Sequence, residues 1–346
     1  MPEHRRLLAS AALAVVVLTS LGTTAAGAAR QPGTAAAGGI GIQLLDAPVN
    51  RRDDPRALRY IVDHLPPGTL VDRKVLVANK SGDRQAIDLY PAAATIEDGR
   101  FRFGEGHATN ELADWISLDH TRVDLGPGKS ATLKVTIAVP PTAPPGERYA
   151  VLWASTAVDP DSGTAIKQVH RVGIRLYLDI GPGGEPVSSF AIGDLVPMRD
   201  DAGVPSVAVH VANTGGRALD LTGAAVLSNG PGMLTAGPFA VSTGTTLGPA
   251  QSGTVTVRFP EQLPNGPWTM RVDLASGTAK DSATALITFP AAGSVGEAGS
   301  PLTNPWLIAS VVALLLAGLY LLRRHGKKKS AERAGSIEPA QPVLNG

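Results

Sequence analysis

The 346-residue chain contains no cysteine. That absence excludes thiol catalysis, cysteine metal sites and disulfides, so an exported body must hold together through its apolar cores alone. The chain also lacks the common catalytic signatures. No GxSxG or HExxH occurs, which leaves no local support for an α/β-hydrolase or a zinc protease. GPGKS (Gly126 to Ser130) ends like a phosphate-binding loop, but that loop needs a glycine where Val123 stands, so a turn before a strand is expected. DPDSG (Asp159 to Gly163) spaces two carboxylates as in part of a calcium loop, without the acidic ligands that complete one, and reads as a hairpin turn. His64, His107, His120, His170 and His210 never stand at metal-ligand spacing. No catalytic residue, metal or cofactor is expected, and the protein is not expected to be an enzyme. Between Arg30 and Pro305 an amphipathic helical period is also missing, although NELADWISL (Asn110 to Leu118) has room for one helical turn.

What the chain has is strands and turns. Apolar residues make up 43% and charged residues 18% of a length sufficient for two ordinary domains. Glycine and proline together number 67, above ordinary usage and short of the level of a disordered chain, so the excess marks frequent turns. In ATLKVTIAVP, Leu133, Val135, Ile137 and Val139 alternate with Thr132, Lys134, Thr136 and Ala138, which places the aliphatic side chains on one face of a half-buried strand. Val207, Val209 and Val211 repeat the pattern, as do Val255, Val257 and Phe259. Val172, Ile174, Leu176 and Leu178 alternate with Arg171, Gly173, Arg175 and Tyr177.

Both ends are laid out for a membrane. Arg5 and Arg6, the apolar run Leu7 to Leu18 and the small residues Ala26, Gly27 and Ala28 form a signal-peptide pattern over residues 1–29, with cleavage near Ala28 or Ala29. The alternative is a retained signal anchor. WLIASVVALLLAGLYLL (Trp306 to Leu322) holds 17 uncharged residues with Trp306 and Tyr320 near its ends, the lower limit for a transmembrane helix; a buried core helix is the alternative. Residues 323–346, opening with RRHGKKK, form a basic tail that points to the cytoplasm and to contact with anionic lipid. The expected location is therefore the cell membrane, with one helix crossing it and the bulk of the chain outside. Setting aside Glu3, Arg5, Arg6 and Arg30, and the tail's six cations with Glu332 and Glu338, leaves 22 basic and 27 acidic residues. A body of net charge −5 is a poor nucleic-acid surface, and no such partner is expected.

One phrase is written twice. VANKSGDRQAIDL (Val77 to Leu89) returns 134 residues later as VANTGGRALDL (Val211 to Leu221). Each is followed by a turn and strand, LGPGKSATLKVTIAVP and LGPAQSGTVTVRFP, and then by a proline-glycine turn with another strand. Three blocks in one order imply two related domains, giving an all-β fold of two tandem immunoglobulin-like β-sandwiches, residues 40–180 and 186–289. Residues 290–305 read as a flexible stalk. In each echo the asparagine, Asn79 or Asn213, is placed to cap a tight glycine-containing turn. Asn79 and Leu125 are 46 residues apart, while Asn213 and Leu247 are 34 apart. The surplus falls around Glu97 to Trp115 and reads as a hairpin and loop inserted in the first domain.

The first domain resembles the peptidoglycan-binding domain of the WxL-interacting proteins of Gram-positive cell surfaces, with an actinobacterial source implied. The likeness runs from Arg59 to Thr95, through DGRFRF (Asp98 to Phe103), WISL (Trp115 to Leu118) and Leu125 to Leu152, to RVGIRLYLDI (Arg171 to Ile180). It implies a membrane-anchored surface protein whose first module engages peptidoglycan and whose second takes a protein partner, WxL-type or another cell-surface protein. No LPxTG signal precedes the apolar segment. Glycan recognition calls for exposed aromatics and planar donors, which makes Arg171, Arg175 and Tyr177 candidates, the alternative being a solvated or sheet-covered face. Arg100 and Arg102 on the inserted hairpin form a second candidate pair. Trp115 and Trp153 are expected in the core. A different reading is a non-enzymatic stalk or assembly factor that pairs exposed edge strands with other exported proteins and has no glycan affinity.

Overall fold

A computed structural model describes residues 39–158 and 168–300. The expected signal peptide, transmembrane helix and basic tail lie outside the described residues, as does DPDSG. Among the described residues no helix is long and apolar enough to cross a membrane.

The first ten strands are β1 (Ile40–Leu44), β2 (Ile61–Leu65), β3 (Leu70–Asn79), β4 (Gln85–Glu97), β5 (Arg100–Phe103), β6 (Ile116–Leu118), β7 (Arg122–Leu125), β8 (Ser130–Ala138), β9 (Gly146–Val158) and β10 (Gln168–Ile180). They form two sheets, β1-β3-β8-β6 and β2-β10-β9-β4-β5, with β7 also on β4. Their facing sides interlock: Val75, Val77, Leu133, Val135 and Ile137 meet Leu89, Leu152, Ala154, Ile174 and Leu176. Burying each such aliphatic side chain is worth about 1.5–3 kcal/mol, and period-2 alternation is what delivers them all to one side. Pro91 interrupts β4 between the residues paired with β7 and those paired with β5, where β4 has a strand partner only in β9, so the missing N–H breaks no second ladder. The single helical turn α1 (Glu111–Asp114) is capped by Asn110, whose side chain accepts from the Ala113 N–H.

The next ten strands are β11 (Phe190–Arg199), β12 (Pro205–Asn213), β13 (Leu219–Asp220), β14 (Thr222–Ser228), β15 (Ala236–Ala240), β16 (Thr246–Leu247), β17 (Ser252–Arg258), β18 (Trp268–Ser276), β19 (Ala279–Ile287) and β20 (Ser294–Val295). Sheet β17-β12-β11-β20 packs on β15-β14-β18-β19, and β13 pairs with β16. Val207, Val209, Val255 and Val257 meet Leu227, Trp268, Met270 and Val272 in this second core. Residues 294–299, within the segment expected as a stalk, run back along β11. Val295 pairs with Met198, and Gly299 exchanges backbone hydrogen bonds of 2.8 and 2.9 Å with Leu195.

The repeated phrase builds the same tie in both sandwiches. Asn79 is buried; its Nδ2 donates to the Asp83 carbonyl at 2.6 Å and the Leu125 carbonyl at 2.9 Å, while its Oδ1 accepts from the Ser81 N–H at 2.9 Å. Asn213 does the same, donating to Arg217 at 2.8 Å and Leu247 at 3.1 Å and accepting from the Gly215 N–H at 3.0 Å. The asparagine therefore does more than cap its own turn. It fastens that turn to the LGP turn, which is why VAN and LGP recur together. GPGKS is a turn closed by the Lys129 N–H on the Gly126 carbonyl at 3.1 Å, and β8 starts at its last residue, Ser130.

Candidate functional site

The outer face of β10 is where the sequence placed its first candidates, and the part of that face at Arg175 and Tyr177 meets the second sandwich. Ile174, Leu176 and Leu178 point into the first core, so the alternation puts Arg171, Arg175 and Tyr177 on the opposite side. Tyr177 is 0% exposed. Its hydroxyl donates to Asp220 Oδ1 on β13 at 2.9 Å, and Arg175 Nη1 reaches the same oxygen at 3.1 Å. Thr246 Oγ1 donates to it at 2.8 Å, while Arg56 Nε donates to Asp220 Oδ2 at 2.9 Å and Arg56 Nη1 to the Ala218 carbonyl at 2.8 Å. One carboxylate of the second sandwich thus gathers two guanidinium groups and a phenol of the first. Burial, reinforced by the Asp220 charge, pushes the Tyr177 phenol well above its ordinary range.

A second ionic group lies beside the first. Arg217, 1% exposed, donates through Nε to Glu147 Oε1 at 2.8 Å and through Nη1 to Glu185. The other Glu147 oxygen accepts from the Ala218 N–H at 2.7 Å and the Tyr149 hydroxyl at 2.9 Å. Burial and then the Glu147 carboxylate raise the Tyr149 phenol also. Arg51 joins the group by pairing with Glu185 and with Asp54, the latter at 2.8 Å. An aromatic cluster seals this contact: Phe101 lies 5.2 Å from Tyr177 and 6.2 Å from Tyr149, and the Arg175 guanidinium sits 4.7 Å from the Phe101 ring.

The inserted hairpin closes the contact from the side. Asp98 and Gly99 both have left-handed backbones, φ 51° and 67°, the pairing a two-residue type I′ turn requires. Its tip rests on the second sandwich, with the Thr246 N–H on the Gly99 carbonyl at 2.8 Å and Gln251 Nε2 on the Ile96 carbonyl at 3.3 Å. Arg100 and Arg102 are exposed on it, Arg102 lying 3.6 Å from Asp98.

The structure therefore separates the five candidates. Arg175 and Tyr177 belong to the buried contact, Arg100 faces a cleft beside β17, and Arg171 stacks over Trp153 at 4.7 Å elsewhere on the same sheet. Trp153 is buried but on this outer face, because its neighbours Leu152 and Ala154 take the core positions. Trp115 packs half-buried against the first core. The residues that sequence reasoning missed are Arg56, Glu147, Arg217 and Asp220. Two of them sat in plain view inside the echo: AIDL and ALDL align Asp88 with Asp220, yet Asp88 pairs with Arg122 on the surface while Asp220 anchors the contact. Among the described residues no group of three or more histidine and acidic side chains could hold a metal ion.

No family model matches the chain, and no curated protein matches it either. Solved structures with a similar arrangement of strands include three chaperones. The CupB2 chaperone of Pseudomonas aeruginosa is 14% identical, with a TM-score of 0.35 over 67% of this chain and 97% of that one. The YadV chaperone is 9% identical, with a TM-score of 0.38 over 71% and 98%. The chaperone DraB of E. coli is 11% identical, with a TM-score of 0.36 over 66% and 95%. With no family model matching, the resemblance read from the sequence is corrected. The chain is not placed among WxL-interacting proteins, and the peptidoglycan-binding, membrane-anchored surface protein it implied falls with it. The physical reason is on β10: of the two side chains best suited to a sugar face, Tyr177 is buried under the second sandwich and Arg175 is tied to Asp220. The single-pass membrane location finds no support either: no helix among the described residues is long and apolar enough to cross a membrane.

Proposed function

We propose that the protein is a non-enzymatic assembly factor that binds other exported proteins by strand addition, its two immunoglobulin-like sandwiches acting as one body. The observation that carries this reading is the open edge of β1. The Lys80 N–H binds the Gly39 carbonyl and the Leu45 N–H binds the Lys74 carbonyl, so Gly39, Gly41, Gln43 and Leu45 face β3. The backbone groups of Ile40, Ile42 and Leu44 then point away from the sheet, and β1 has no second strand neighbour among the described residues. The side chains of Ile40 and Ile42 are only partly buried against the core. Such an edge offers a partner strand main-chain hydrogen bonds for affinity and apolar positions for register. The ionic contact between the sandwiches supports the reading by holding that edge in a fixed frame.

The test uses proline. At Ile42 the N–H faces outward, so Ile42→Pro keeps the β1–β3 ladder and blocks strand addition; at Gly41 the N–H belongs to the ladder, so Gly41→Pro disrupts the strand itself. A photo-crosslinker at exposed Gln43 in the full chain is expected to capture one defined exported protein. Capture should be lost in Ile42→Pro while the melting temperature stays near that of the parent. Undiminished capture by Ile42→Pro would sink the edge-binding reading.

A further inference from the structure

On one side of the ionic contact a cleft of about 520 Å³ opens between the sandwiches. Four cations line it: Arg56, Arg59, Arg175 and Lys280. They face one carboxylate, Asp220, whose two oxygens are already engaged by Arg56, Arg175, Tyr177 and Thr246. Asp54 lies across Gly277 and is held by Arg51 at 2.8 Å, and Glu147, whose charge also acts on Arg56, is held by Arg217 at 2.8 Å. The cleft therefore carries three uncompensated positive charges on a body whose net charge is −5. Arg59 and Lys280 are exposed and have no ion-pair partner among the described residues. Arg56, 8% exposed, leaves its third nitrogen, Nη2, buried without a hydrogen-bond partner. A buried guanidinium nitrogen without an acceptor is costly, and a positive cleft lined by the same residue is where an acceptor would be most strongly attracted.

We propose that this cleft is a binding site for a multiply charged oxyanion of the phosphate class. Planar guanidinium groups match the oxygens of a phosphoryl group in bidentate fashion. A dianion fits the charge balance better than a monocarboxylate, which would leave two positive charges unmatched. Arg59 and Lys280 close over the anion from the solvent side, while Arg56 and Arg175 hold its inner oxygens and remain tied to Asp220. Occupation would also strengthen the contact between the sandwiches, because Arg56, Arg59 and Arg175 come from the first and Lys280 from the second. This site does not depend on the proposed strand addition at β1.

Calorimetric titration of the full chain with inorganic phosphate, glycerol phosphate and acetate at constant ionic strength tests the site. Saturable phosphate binding is expected, and Arg59→Gln and Lys280→Gln should each weaken it roughly five- to tenfold, the loss of about one partly screened charge contact. Both residues lie outside the buried ion pairs, so an unchanged melting temperature is expected and separates a binding defect from a folding one. Glycerol phosphate binding at least as tightly as the inorganic ion would assign the site to a phosphoryl group on a larger ligand, and preference for the inorganic ion to free phosphate; either supports the proposal. Acetate binding as well as phosphate, no saturable heat below ~10 mM phosphate, or affinity untouched by both substitutions would overturn it.

Discussion

Ala250 is a residue in the wrong place for its type. It occupies the turn of LGPAQS with φ 59°, while the matching position in LGPGKS is Gly128 with φ 67°. A residue with a Cβ pays about 1–2 kcal/mol in that left-handed region, and glycine pays part of that back in the freedom it loses on folding. Ala250→Gly is therefore expected to stabilise the protein slightly, by up to ~1 kcal/mol, and Gly128→Ala to destabilise it by about 1 kcal/mol. Nothing lies within 4 Å of a Cβ built on Gly128, so the second effect is one of backbone strain alone. Urea midpoints of the two variants check the pair, and shifts of the same sign would refute the account. The equivalence of these turns was legible in the sequence, because both belong to the LGP block. The tie from Asn79 and Asn213 to those blocks was not, since an asparagine that caps its own turn and one that also binds a carbonyl 46 or 34 residues ahead look alike in the sequence.

At the scale of elements, alternation told which face of each strand is core and nothing about what covers the other face. The aliphatic residues of β8, β12 and β17 are all buried as their period requires. On β10 the same period placed Arg175 and Tyr177 off the core, correctly, but their partner Asp220 stands more than 40 residues away on another sandwich. Only the fold brings it there. The hairpin of β4 and β5 was expected within the longer gap of the first copy, while its use as a prop against the second sandwich was not legible. That use makes a prediction. Gly99→Val puts a β-branched residue at φ 67°, costing about 1–2 kcal/mol and deforming the tip. The Thr246 amide, which donates to the Gly99 carbonyl, should exchange its hydrogen on the order of tenfold faster. The Val257 amide, on the β17–β12 ladder, should keep its parental rate. Equal acceleration at both sites would show that the hairpin does not act locally.

For the whole molecule, the contact between the sandwiches should be the part that fails first in alkali. Tyr149 and Tyr177 both sit in it, and both phenols are held protonated above the ordinary value of 10.0, chiefly by burial. A raised folded-state pKa gives stability that is intact below the unfolded value and is lost as pH rises beyond it. Above pH 10 the unfolded chain releases both protons while the folded chain keeps them, so stability should fall by about 1.4 kcal/mol per pH unit for each tyrosine. Between pH 10 and 11 the two together account for roughly 2–3 kcal/mol, a large part of the stability of an ordinary domain. Tyr177→Phe removes one titrating group and should halve that slope, although it starts from a lower stability at pH 8 because Asp220 loses a donor. Chemical denaturation of parent and variant at pH 8, 10 and 11 reads the slopes directly. Because the same tyrosines bind Asp220 and Glu147, the parent should pass from one unfolding transition to two as the contact weakens, each sandwich then melting on its own core. A slope that is the same in Tyr177→Phe as in the parent would mean that this phenol is not what links the sandwiches to pH.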